Sequence, residues 1–135
     1  MREILFHGKR ADSGEWVEGD LIQVGLHDKP KFASIMPQTP VSSAYPVLPE
    51  TVGQYTGLTD KNGKKIFEGD ICRFKSFYDV HIGKVVFNVT TASFIMWYQP
   101  IVGAYGEKAT QKMLLSVCDN IEVVGNIHDD PELLR

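Results

Sequence analysis

Turn signals recur at short intervals along this 135-residue chain, at Asp12-Ser13-Gly14, Asp60 to Gly63, Phe77 to Asp79 and Pro100 to Gly106. Spacing of that kind leaves room for short strands between turns and little room for long helices. The intervening apolar positions are rich in Val, Ile, Phe, Tyr and Trp, which suit a half-buried pleated surface. The expected fold is therefore mainly β. Strands are predicted at Glu3 to His7, Glu15 to Val24, Thr51 to Tyr55, Lys65 to Phe74, Ile82 to Asn88, Ser93 to Tyr98 and Asn120 to Ile127.

Between Lys29 and Glu50 the character changes, because five of the seven prolines fall there: Pro30, Pro37, Pro40, Pro46 and Pro49. Proline cannot donate to a central ladder, so this segment is expected to be extended, with at most edge strands, and free to lie against another subunit. The organisation that follows is a β-rich N-terminal part with a Pro-rich extended segment over residues 1–50. A small SH3-like barrel over residues 51–135 follows it, packed with the first part as one unit. Glu107 to Ser116 has a helical composition but no cap. At the end, Pro131 at a first helical position after Asp130 predicts one helical turn capped by an aspartate.

Glu18-Gly19-Asp20 and Glu68-Gly69-Asp70 each interrupt an apolar run. In both copies the glycine is expected at a bulge or corner needing positive φ, with the aspartate bonding nearby backbone, which leaves Glu68 and Asp70 structural and not catalytic. The loop Gly57 to Lys65 resembles a phosphate-binding loop but fails twice: five residues separate its glycines, and Lys65 stands where a magnesium-binding hydroxyl belongs. Gly63 comes too early after Asp60 and Asn62 for a calcium loop. What remains is Asn62-Gly63, a type I′ hairpin signal.

Lys61, Lys64, Lys65, Arg73, Lys75 and Lys84 cluster with Phe67, Phe74, Phe77 and Tyr78 interleaved, a pattern with which small barrels bind single strands. Asp60, Glu68, Asp70 and Asp79 share that window, so six bases against four acids leave only +2. The whole chain carries −3, which gives no general attraction to phosphate backbones. Nucleic-acid contact, if made, falls to Lys61, Lys64, Lys65, Arg73 and Lys75.

Other chemistries find little support. Cys72 and Cys118 lie among apolar neighbours without CxxC spacing and read as reduced, structural thiols. His7, His27, His81 and His128 are scattered without metal-ligand spacing. Nucleophile-elbow, dinucleotide and HExxH patterns are missing, so neither an enzyme nor a cofactor is expected. No apolar run approaches the roughly 20 residues of a membrane span, and the opening MREILFHGKR has no apolar core of a signal peptide. A cytoplasmic location is expected.

Three segments together resemble the YopX family of phage and prophage proteins. They are Met1 to Phe6 with Gly14 to Val17 and Gly19 to Leu21; Thr51 to Gly63 with Glu68 to Ile71; and Val124 to His128 with Pro131 to Leu134. The resemblance implies a bacteriophage or prophage setting, a β-rich chain with an SH3-like barrel in its second half, and no established activity. No catalytic residue carries over. The matching positions are glycines, turn residues and core apolars. Residues and resemblance together predict a binding protein that self-associates, whose further partner is a phage or host protein, with nucleic-acid binding as the alternative.

Overall fold

The computed structural model describes residues 1–26, 29–39, 43–76, 79–98, 111–114 and 118–134. Among them the architecture is mainly β, in two antiparallel sheets with no α-helix. The chain divides into two compact units, Met1–Gly57 and Leu58–Arg135.

In the first unit β1 is Phe6–Lys9, β2 is Trp16–Leu26, β3 is Lys29–Met36 and β4 is Tyr45–Val47; a 3-10 turn at Pro49–Thr51 leads into β5, Gly53–Thr59. Its strands run β4-β3-β2-β1-β5; the last residues of β5 and its hairpin partner β6, Lys65–Phe67, end that sheet and belong to the second unit. Alternation decides which residues go inside. Ala33, Ile35 and Val47 are buried, and Phe6, Val17, Leu21 and Val52 pack on them. Thr51 locks the 3-10 turn to β1, since its hydroxyl accepts from Lys9 N at 2.9 Å and donates to Leu48 O at 2.6 Å.

The Pro-rich segment is not the free extended arm that its composition predicts. β3 is an interior strand, paired to β2 from Met36 to Lys29 and to β4 at Ala33–Ile35. Its proline is tolerated because β4 stops short: Pro30 lies beyond the β4 ladder and beside a register shift at Val24/Gly25. Pro46 sits in the terminal strand β4, where a missing N–H costs least.

The second unit holds β7 (Asp70–Ser76), β8 (Asp79–Asn88), β9 (Ser93–Tyr98), β10 (Gln111–Leu114), β11 (Asp119–Asn126) and a 3-10 turn at Pro131–Leu134. Their order is β10-β9-β8-β7-β11. Ile66, Cys72, Phe74, Val85, Met96, Tyr98 and Ile121 form its core. The closed barrel is not realised by these ladders: the sheet is open, with β10 and β11 at its ends.

Four further expectations change. The apolar run Lys65 to Phe74 is two strands, because Gly69 turns a corner at φ +94° and Asp70 Oδ2 accepts from Phe67 N at 2.8 Å. The other Glu-Gly-Asp copy makes no corner. Gly19 lies within β2, and a Cβ there would meet the Met36 carbonyl and come within 2.7 Å of Pro37 Cα, so that glycine answers to crowding. In the helical window, Gln111–Leu114 pairs with Tyr98–Ile95 as a strand, cross-strand pairing overriding a weak helical preference; residues 107–110, 115 and 116 lie outside the described residues. The Asp130 carboxylate turns back to Asn126 N at 3.2 Å, and it is the Asp130 carbonyl that accepts from Leu133 N.

Candidate interaction surfaces

Asp60 organises the stretch richest in glycine and lysine. Its N–H donates to Lys64 O at 2.7 Å and its carbonyl accepts from Gly63 N at 3.0 Å, closing a three-residue hairpin loop. Gly63 is at φ +82° while Asn62 is not in the left-handed region, so the loop is a turn with a glycine bulge and not type I′. The carboxylate is buried and occupied throughout. Oδ1 accepts from Asn62 N and Lys64 N, each at 2.9 Å, and Oδ2 accepts from Val123 N at 3.0 Å. Burial pushes this carboxyl up, but the three backbone donors and the Lys64 ammonium outweigh it and hold the group below the usual carboxylate range. Lys61 N adds a bond to Ile121 O at 2.8 Å, so the hairpin tip clasps β11.

An open groove of about 230 Å³ lies beside this clasp, lined by Thr59, Asp60, Lys61, Cys118, Asn120 and Ile121. Asp60 serves three backbone donors, and burial, with Asp119 nearby, pushes the Cys118 thiol up to about 11, so it is protonated at neutral pH. Cys72 is fully buried and pushed up further, by burial first and then by Asp70 and Asp60. Among the described residues no three His, Cys, Asp or Glu side chains gather as metal ligands.

The basic residues are brought only partly together. Lys61 and Arg73 converge on one carboxylate, with Glu122 Oε2 3.3 Å from Lys61 Nζ and 3.5 Å from Arg73 Nη1. Lys64 closes the hairpin loop opposite Asp60, Lys65 is half-buried at the start of β6, and Lys75 stands opposite Asp119 on β11. Lys84 sits 4.7 Å from the centre of its cross-strand neighbour Trp97. Phe67 and Phe74 do not form the expected stacking face; both are buried, Phe74 edge-on to Tyr98 at 5.0 Å. Phe77 and Tyr78 lie outside the described residues. Residue types close in sequence show neither Glu122 nor Trp97 beside these bases, since both partners come from other strands.

An apolar surface that residue composition does not reveal lies on β2 and β3. Val24 and Phe32 are cross-strand partners, 61% and 68% exposed, flanked by exposed Ile22 and Met36.

These features define an antiparallel β protein whose conspicuous carboxylates serve its own backbone and whose apolar face is turned outward. The sequence matches the family of the YopX protein over residues 5–135, and the chain belongs to that family. A crystal structure of protein EF1440 from Enterococcus faecalis is similar in fold, with TM-score 0.57 and 21% identity over 100% of both chains. No curated protein matches. Among the described residues, no helix is long and apolar enough to cross a membrane.

Proposed function

We propose that this YopX-family chain is a non-enzymatic binding or assembly module of a phage or prophage, acting in the cytoplasm by association with copies of itself. One observation carries the reading: a facing pair of large apolar side chains, Val24 and Phe32, stands more than half exposed on the β2–β3 ladder. Contiguous exposed apolar surface of this kind marks an interaction site. In the second unit β7 to β10 form a meander and β11 returns beside β7, an order that supports an SH3-like arrangement. Light scattering on the intact chain tests self-association. A mass above that of one chain at micromolar concentration is expected, and a monomer at several hundred micromolar would overturn it.

A second reading, single-stranded nucleic-acid binding, is favoured by Lys84 against Trp97, with Arg73 and Lys75 on neighbouring β7. Charge reversal at Lys61, Lys64 and Lys65 would then weaken binding and flatten its salt dependence. Failure to retard any oligonucleotide at low salt removes this alternative.

A further inference from the structure

We infer that the surface through which the chain self-associates is the ribbon formed by β2 and β3, joined edge to edge with the same ribbon of a second copy about a two-fold axis. The inference rests on the self-association proposed above and names its interface.

The ladders show why this ribbon is incomplete. β1 pairs with β2 only at Trp16–Gly19, and β4 pairs with β3 only at Ala33–Ile35, whereas β2 and β3 pair with each other from Asp20/Met36 out to Leu26/Lys29. Beyond the ends of β1 and β4 the two strands therefore have only one another as ladder partners among the described residues. Met1 to Ile4 are exposed and form no ladder with β2. A two-stranded ribbon is marginal alone in water, and an open edge is a template for another strand.

The two edges differ. The β3 edge carries Lys29, Pro30 and Lys31, residue types that discourage pairing. On β2 the run Leu21-Ile22-Gln23-Val24-Gly25-Leu26 has neither charge nor proline. The unprotected edge is thus that of β2, and it sits beside the exposed Ile22, Val24 and Phe32.

A second copy fits that edge. Antiparallel pairing of identical strands is two-fold by construction, each residue meeting its counterpart reciprocally. With the axis perpendicular to the sheet, outward faces join outward faces, which sets Gln23 opposite itself and Ile22 opposite the second copy's Val24. Two apolar faces then become one. Charge agrees as well. In this register Asp20 of one copy falls opposite Leu26 of the other, the residue paired with Lys29 at the end of the β2–β3 ladder.

The test uses the full chain in three forms: wild type, the double variant Ile22→Asp with Val24→Asp, and a control, Val89→Asp, at an 84% exposed position in the second unit. Wild type and control are expected to be dimers or multiples of dimers. The double variant is expected to keep its circular dichroism spectrum and dissociate at least tenfold more readily. Gln23→Cys supplies a second readout that does not depend on tolerance of the aspartates, because a residue on the axis meets its own copy within disulfide reach. Diamide should join it as a covalent dimer where wild type stays uncrosslinked. A wild-type monomer would sink both the inference and the function on which it rests. A wild-type oligomer that survives a folded double variant, or that leaves Gln23→Cys uncrosslinked, would overturn the inference alone.

Discussion

Asp60 shows how much a single side chain can hold when all its acceptors are taken by backbone. Removing the charge with Asp60→Asn puts an amide N–H₂ against at least one of three backbone donors, and an unpaired buried donor costs about 1–3 kcal/mol. A loss of about 3 kcal/mol is expected at pH 7, measured by urea unfolding. The pH dependence has a definite sign. The folded pKa is depressed, so the carboxylate's contribution is complete above the unfolded value of about 3.9 and is lost as pH falls through the folded value. The gap between wild type and variant should therefore be widest above the unfolded value of about 3.9 and narrow as pH falls below it toward the folded value; a gap that does not narrow in acid would show that the charge does not matter. The sequence shows an acid ahead of Asn-Gly, enough to announce a turn. It does not show Val123, whose N–H arrives from 63 residues away.

Among the elements, the two Glu-Gly-Asp copies separate what sequence can and cannot reveal about a glycine. Both glycines look alike on the page. Gly69 turns a corner at φ +94° with no atom closer than 3.8 Å to a built Cβ, whereas Gly19 lies in a strand with the Met36 carbonyl occupying the Cβ position. Gly69→Ala is expected to cost about 1 kcal/mol through backbone strain, and Gly19→Ala about 3 kcal/mol through overlap with a neighbouring main chain. Thermal melts of the two variants check the ordering, and an equal or reversed ranking would refute the crowding argument. The same limit explains β3 and β10. Proline content argued against an interior β3, and composition argued for a helix over Glu107 to Ser116, yet pairing partners decided both Lys29–Met36 and Gln111–Leu114. Strands with strong alternation and clear flanking turns, such as β2, β8 and β9, were legible within a few residues. The basic cluster was legible as a list of residues, but not the acid at 122 that two of them share.

For the molecule as a whole, self-association and stability are one equilibrium, because a contact present only in the folded state stabilises that state by mass action. If folded chains are held as dimers, unfolding releases two chains for each dimer, and the midpoint must fall on dilution. Each tenfold dilution removes about 1.4 kcal/mol per dimer, which for a chain of this length lowers Tm by about 2–4 °C. Far-UV melts of wild type at 200, 20 and 2 μM, values on the order of those at which specific interfaces form, should show that progression until the dimer dissociates before it unfolds. Variants with aspartate at Ile22 and Val24 should melt at one temperature throughout, close to that approached by dilute wild type. The comparison separates an interface from a merely strained strand. Loss of intrachain packing would lower Tm equally at every concentration and leave the dilution slope intact, whereas loss of the interface abolishes the slope. A wild-type Tm independent of concentration, alongside a large mass by light scattering, would instead place the oligomer's contacts on chains that stay associated while they unfold.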